Sequence, residues 1–251
     1  MTTGKIRVGV GGWTYEPWRG VFYPDGLPQK RELEYAAQNL TAIEINATFY
    51  GRQKRESFEK WAAAAPAGFQ FSVKASQYAT ARKVLADGGE SIAKFLEQGF
   101  VALGDTLGPV LWQFRASKTF DREDFARFLD LIPDAVEGVP LRHALEPRHE
   151  SFRDPAFTAL AKARNMAIVR ADSAKYAELE EDTAAFIYAR LQRSVDEIET
   201  GYDAEGLDAW AAKARDWAAS GRDVYLYFIS GAKHRNPAAA MALIERLERA
   251  G

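Results

Sequence analysis

The sequence predicts an α/β fold, a single (β/α)8 TIM barrel formed by residues 1–251, and three observations carry that expectation. Eight short runs rich in β-branched and aromatic residues recur along the chain, and most neighbouring pairs are separated by one segment of helical spacing. The chain has 251 residues, and eight βα units commonly close a barrel in about 250 residues. No Pro/Gly/Ser-rich linker, low-complexity tract or longer internal repeat divides it.

Each element has its own signal. The first strand is Ile6–Gly11, followed by a helix over Arg31–Leu40 that sets Leu33, Ala36, Ala37 and Leu40 at i, i+3, i+4 and i+7. Strand two is Ala42–Asn46. The helix after it, Ser57–Ala65, gathers Phe58, Trp61 and Ala62 on one side and stops before Pro66. Strand three, Gln70–Lys74, leads to a helix over Ser91–Leu103, and strand four, Val110–Gln113, to one over Arg122–Ile132. Strand five, His143–Glu146, precedes a helix over Pro155–Asn165, with Pro155 in the first turn and Asp154 as its N-cap. Strand six is Ala167–Arg170. Between it and strand seven, Phe186–Arg190, the stretch Lys175–Glu181 allows only a turn or two of helix, so one short or irregular βα unit is expected there. A helix over Leu207–Ser220, strand eight at Val224–Phe228 and a helix over Pro237–Arg249, N-capped by Asn236, complete the series. The alternative is a doubly wound open sheet. Its Gly-rich turn is missing, because Gly9, Gly11 and Gly12 are followed by Thr14 where G-x-G-x-x-G needs its last glycine.

Composition removes several classes of function. Lys+Arg number 33 against 35 Asp+Glu, a net charge of −2, so no global field attracts nucleic acid or an anionic membrane. The absence of cysteine excludes disulfides, a thiolate nucleophile, an iron–sulfur cluster and a thiolate zinc site. The N-terminal run lacks the roughly 7–15-residue apolar core of a signal peptide, and no stretch approaches the about 18 apolar residues of a membrane span. The expectation is a cytoplasmic protein.

Barrel chemistry belongs at the C-terminal ends of the strands. Alternation puts Glu44 with Asn46, Ser72 with Lys74, Ala144 with Glu146 and Arg148, Ile168 with Arg170 and Asp172, and Tyr188 with Arg190 and Gln192, while Gln113 ends strand four. A polar face is not expected against an apolar helix layer, so these sets should point into the barrel mouth. Four cations (Lys74, Arg148, Arg170, Arg190) then meet three anions (Glu44, Glu146, Asp172). The surplus of one positive charge leaves room for a phosphate, sulfate or carboxylate, which arginine holds bidentately. A structural ion-pair layer is the alternative reading of the same cluster.

Other constellations say less. His143, His149 and His234 have no zinc spacing; His143 reads as a core histidine and His149 as a candidate acid–base group. Glu44, Glu146 and Asp172 are the types that hold Mg²⁺, but the neighbouring arginines oppose it, so no cofactor is expected. Trp13, Tyr15, Trp18, Phe22 and Tyr23 follow strand one and serve either as a stacking wall over a ligand or as a hydrophobic lid. Lys233, just past strand eight, is placed to reach the mouth.

The run from Gly12 to Pro24, Gly-Trp-Thr-Tyr-Glu-Pro-Trp-Arg-Gly-Val-Phe-Tyr-Pro, resembles the opening signature of the YecE-like family, domain of unknown function 72. The resemblance continues in register through Glu44-Ile45-Asn46-Ala47-Thr48-Phe49-Tyr50, Phe71-Ser72-Val73-Lys74, Gly108–Phe114, Glu146–Ser151 and Tyr188–Leu191. It implies a TIM barrel and implies no particular reaction. Glu44, Asn46, Tyr50, Lys74, Gln113, Glu146, Arg148 and Arg190 are retained. The chain departs from the family pattern at Gln192-Arg193 in place of His-Gly, at Ile229-Ser230 in place of an Asn pair, and at Phe152 in place of Trp.

Two functions follow from the residues. In the first, the chain is an enzyme for a small phosphate- or carboxylate-bearing metabolite. Glu44, Lys74 and Glu146 are its catalytic candidates, and Trp13, Tyr15, Asn46, Tyr50, Gln113, Arg148, Arg170, Asp172 and Arg190 its ligand-binding candidates. A glycosidase variant would pair the two glutamates, but strands four and seven carry Gln113 and Arg190 where barrel glycosidases commonly place their carboxylates. In the second, the chain is a non-catalytic anion-binding or regulatory, partner-binding barrel, whose same pocket senses an anion or accepts a partner's phosphate.

Overall fold

Alternation within each strand divides its side chains between two apolar layers, and the computed structural model, which describes residues 2–249, bears this out. The barrel strands are β1 (Ile6–Gly11), β2 (Ala42–Ile45), β3 (Gln70–Lys74), β4 (Leu107–Gln113), β5 (His143–Glu146), β6 in two pieces (Ala167–Ile168 and Arg170–Asp172), β7 (Phe186–Leu191) and β8 (Asp223–Phe228). All barrel pairs are parallel. The order runs from the first piece of β6 through β5, β4, β3, β2, β1, β8 and β7 to the second piece of β6. The broken sixth strand therefore supplies both ends of the sheet: Ala167 and Ile168 pair with β5, and Arg170–Asp172 pair with β7. β4 starts earlier than the sequence suggests, and its register with β3 slips between Phe71 and Val73, where Pro109 has no N–H to give.

The helices are α1 (Glu32–Asn39), α2 (Ala47–Tyr50), α3 (Arg55–Ala63), α4 (Gln77–Thr80), α5 (Gly89–Leu96), α6 (Arg122–Asp130), α7 (Pro155–Ala163), α8 (Ala204–Ala219) and α9 (Asn236–Arg249). α2 and α4 are single turns directly after β2 and β3, above the barrel mouth. The segment between β6 and β7, where a short or irregular unit was expected, holds no helix.

Two expectations need correction. The helix expected over Ser91–Leu103 stops at Leu96, because Gly99 takes a left-handed conformation (φ 84°) and the chain re-enters as a 3₁₀ turn over Phe100–Thr106. Phe100 stacks on Phe95 across that turn, at 5.2 Å between ring centroids. Asn236 does not cap α9 with its side chain, which instead accepts from the Ser194 hydroxyl at 2.8 Å and donates to the Ser230 carbonyl at 3.1 Å. Asp154 does cap α7, accepting from the Ala156 N–H at 2.8 Å. Asp154→Ala should cost about 1 kcal/mol, a fall of roughly 2–4 °C in the melting temperature, checked by thermal denaturation.

The outer layer packs Val8, Val10, Ile43, Ile45, Val73, Trp112, Leu145 and Leu226 against the helices. The barrel interior holds Ala42, Leu111, Ala144, Val169, Phe186, Tyr188, Tyr225 and Tyr227. Tyr227 bonds to the Ser72 hydroxyl at 2.7 Å across this interior. At the N-terminal end Asp223 meets Arg7 at 3.3 Å and Arg142 at 3.4 Å. The polar ends of the inward rows therefore lie at opposite ends of a packed barrel, and the C-terminal end is open.

Candidate functional site

The inward parity of β2, β5 and β7 carries Glu44, Glu146 and Arg190 to one level of the barrel. Arg190 bridges both carboxylates: Nε and Nη2 each lie 3.1 Å from a Glu44 oxygen, and Nη1 lies 2.8 and 2.6 Å from the two Glu146 oxygens. The Tyr188 hydroxyl donates to Glu44 at 2.8 Å, and the Gln113 amide donates to Glu146 at 2.5 Å. All three charged groups are buried, at 2%, 0% and 1% side-chain exposure for Arg190, Glu44 and Glu146. One cation between two anions would leave an excess negative charge, and Lys74 and Arg148 stand close enough to share it; Arg148 lies 3.6 Å from Glu146. Burial alone would push the Glu146 carboxyl up, but Arg190, Arg148 and Lys74 hold it below the usual carboxylate range.

Lys74, the last residue of β3, is buried at 6% exposure. Its Nζ sits 4.0 Å from the centroid of the Phe49 ring on α2. Burial lowers its pKa to about 8, with the charge of Arg190 adding to the effect and those of Glu44 and Glu146 opposing it. It is the one buried lysine among the described residues.

Above this level lies a cavity of about 680 Å³, bordered by the ends of the strands and by α2 and α4. Of the predicted binding residues, Trp13, Asn46, Tyr50, Gln113, Arg148 and Arg190 line it, as does Lys74. Gly11 also lines it, packed so closely that a Cβ there would stand 2.8 Å from Ile229 Cδ1 and 2.9 Å from Asn46 Nδ2. Arg115 also lines it, and was not anticipated; it follows Gln113 at the same parity past the strand end, a signal the sequence did contain. Lys233 reaches the mouth as expected, its Nζ 4.0 Å over the Tyr15 ring. Among the described residues the lining thus has five cationic side chains (Lys74, Arg115, Arg148, Arg190, Lys233) and no carboxylate.

Several predicted residues stand elsewhere. Glu44 and Glu146 are beneath the cavity surface, their oxygens taken by Arg190. Arg170 and Asp172 are not in the mouth. They line a separate cleft with Glu178, Arg193, Trp210 and Trp217, where Arg170 pairs with Asp182 and covers the Trp217 ring at 5.0 Å. Asp172 there pairs with Arg193 at 2.6 Å and accepts from the Tyr202 hydroxyl at 2.9 Å. The expectation failed because Val169 takes the inward position in β6, so its neighbours at Ile168 and Arg170 face out, and aromatic and acidic partners receive the charge. Glu44, Glu146 and Asp172 accordingly do not form one donor set for Mg²⁺. Tyr15 packs against Trp18 at 5.5 Å behind the cavity wall, and Trp18, Phe22 and Tyr23 form the buried packing beneath it. His149 bonds to Ser151 and is not part of the lining. His143 is a core residue between the Trp112 indole N–H, at 3.2 Å, and the Pro133 carbonyl, at 3.0 Å, and burial lowers its pKa to about 4.

Fold and site define a TIM barrel whose C-terminal mouth is lined by cations and backed by a buried carboxylate–guanidinium–carboxylate bridge. The chain belongs to the family described as Protein of unknown function DUF72, whose model matches residues 7–251, in agreement with the YecE-like resemblance of its motifs. It is 29% identical over 161 residues to UPF0759 protein YunF of Bacillus subtilis, a match to 61% of this chain and 54% of that protein, so the chain spans about half the length of that curated relative. A DUF72 family protein from Thermotoga maritima superposes with a TM-score of 0.73 at 21% identity, over 98% of both chains. One from Enterococcus faecalis gives 0.70 at 17% identity, over 100% of this chain and 98% of that one. A D-psicose 3-epimerase from Clostridium cellulolyticum, solved with D-tagatose, gives 0.53 at 12% identity, over 97% and 96%. These likenesses show the fold.

Proposed function

We propose that the chain is an enzyme acting on a small phosphate- or carboxylate-bearing metabolite bound in the barrel mouth, with Lys74 as its acid–base group. The observation that supports this reading is the cavity wall, with five cationic side chains and no carboxylate. Arg190, Lys74 and Arg148 together exceed the charge of Glu44 and Glu146 by one, and Arg115 and Lys233 add two more positive charges to meet an anion from above. Charge-assisted hydrogen bonds of this kind contribute roughly 1.5–3 kcal/mol each. A lysine at about pKa 8 exchanges protons near neutral pH, which an ordinary lysine does not. Glu44 and Glu146 act through Arg190, fixing its position and balancing the charge. A cytoplasmic setting belongs to the same proposal; no helix among the described residues is long and apolar enough to cross a membrane.

A thermal-shift screen tests the reading, with phosphate, sulfate, sugar phosphates, carboxylic acids, neutral sugars and divalent metals against sodium chloride of equal ionic strength. A ligand at about 100 times its dissociation constant adds about 2.7 kcal/mol, a rise of roughly 5–10 °C for a chain of this size. The expected hits are phosphorylated or carboxylated compounds, with the rise reduced in Arg148→Ala. Incubation of each hit with the protein then separates an enzyme, which converts it, from a non-catalytic anion-binding barrel, which returns it unchanged. No shift with any anion overturns both and leaves a self-satisfied ion-pair layer.

A further inference from the structure

Resting on the anion reading above, we propose that Lys74 captures a carbonyl carbon: its Nζ forms an imine with an aldehyde or ketone whose phosphate or carboxylate is held by Arg115, Arg148 and Lys233. The substrate class is therefore a small anionic carbonyl compound.

Three features of the cavity single out this nitrogen. Lys74 is buried yet lines the open cavity, whereas other lysines are exposed or tied to a carboxylate, as Lys118 is to Asp124 at 2.8 Å. The Nζ is bounded on one side by the Phe49 ring at 4.0 Å rather than by an acid. Among the described residues no carboxylate lines the cavity to serve as a nucleophile or base in its place. At a pKa of about 8, about one-tenth of the amine is unprotonated at pH 7, against less than about one-thousandth for an ordinary lysine.

The step balances without a co-reactant. The Nζ lone pair attacks the carbonyl carbon while the carbonyl oxygen takes a proton, and the carbinolamine then expels that oxygen as water to leave a protonated imine. The single positive charge of the starting ammonium is retained on the imine nitrogen. Water reverses the sequence and restores the free lysine.

Glyceraldehyde 3-phosphate followed by sodium borohydride, with peptide mapping by mass spectrometry, tests the proposal on the whole protein. Hydride from borohydride reduces the imine to a stable secondary amine at the residue that formed it. The expected result is at least tenfold more adduct on Lys74 than on any other lysine, rising with pH around 8, suppressed by excess inorganic phosphate and much weaker with unphosphorylated glyceraldehyde. Lys74→Arg should remove the adduct while inorganic phosphate still raises the melting temperature. Label spread over exposed residues such as Lys30 and Lys162, with Lys74 unmodified, overturns the imine. If phosphate still stabilises the protein in that case, the anion reading survives alone; if it does not, both fall. Equal labelling of Lys74 by the phosphorylated and neutral aldehydes overturns the assignment of an anionic substrate.

Discussion

Arg190→Met is expected to lower stability by about 3–5 kcal/mol at neutral pH, because it leaves two buried carboxylates without their shared partner. For a chain of this size that corresponds to a fall of roughly 6–20 °C in melting temperature. The cause is the arrangement of donors. Arg190 supplies three nitrogens to Glu44 and Glu146, and those two residues hold its guanidinium well above the ordinary arginine range against the opposing effect of burial. Arg190→Lys keeps the charge but has one nitrogen where the bridge uses three, so it should recover only part of the loss. The deficit should also depend on pH. In the wild type Glu146 is held below its ordinary value, so its contribution is present above the ordinary carboxylate range and is lost as the pH falls through its folded value. In Arg190→Met the largest opposing charge is gone and burial acts on Glu146 with less resistance, so its pKa moves up. Acidification then protonates Glu146 in the variant first and relieves its buried charge. The gap between variant and wild type should therefore narrow from pH 7 toward pH 4–5, as read by denaturant titration at each pH. Pairing the substitution with Glu44→Gln and Glu146→Gln should restore much of the loss, since an apolar or neutral replacement of the whole bridge avoids the uncompensated charges. A single Arg190→Met variant with wild-type stability at pH 7 would show that the bridge is not what holds these carboxylates.

Much of this site is legible in the sequence. Period-two alternation in β2, β3, β5 and β7 put Glu44, Lys74, Glu146 and Arg190 on inward rows, with Gln113 at the end of β4, and the structure brings those five residues together. Alternation fixes which residues share a face, but not which way that face points. In β6 the break at Val169 turns Arg170 and Asp172 toward Trp217, Asp182, Arg193 and Tyr202, and the rule against polar groups beside helices failed because those partners are aromatic or charged. The depth of the two glutamates was also hidden. It depends on Arg190 reaching residues 146 and 44 positions away in sequence, a distance set by barrel closure and not by local spacing. Arg115 continues the parity of Gln113 past the end of β4, whereas Phe49 follows no strand period and its place beside Lys74 comes from the α2 turn. The divergent Gln192 stands at the limit of hydrogen-bond distance, 3.5 Å, from Glu146, while Ile229 and Ser230 line the cavity itself, so two of the departures from the family pattern border the site.

Lys74→Met should make the protein more stable at pH 7 and abolish the proposed imine chemistry. The folded pKa of Lys74, about 8, lies below its ordinary value of 10.5, so keeping the ammonium charged in the folded barrel costs about 3 kcal/mol below pH 8. Between pH 8 and 10.5 the unfolded chain holds the proton more tightly than the folded one, and wild-type stability rises with pH through that window. Methionine matches the lysine stem in volume and carries no charge, so the variant escapes the cost without opening a cavity. Its advantage over wild type should approach about 3 kcal/mol at pH 7 and shrink as the pH approaches 10.5. A bound anion works in the other direction. It favours the charged amine, so phosphate should stabilise wild type more than Lys74→Met, and its affinity for wild type should decline as the pH rises through 8. Stability measured for both proteins across this range, with and without phosphate, separates a functional lysine from a structural one. If Lys74→Met is instead less stable than wild type at pH 7, the lysine is a working member of the Glu44–Arg190–Glu146 charge balance, and the strain assigned to its burial is relieved by those carboxylates rather than held for a ligand.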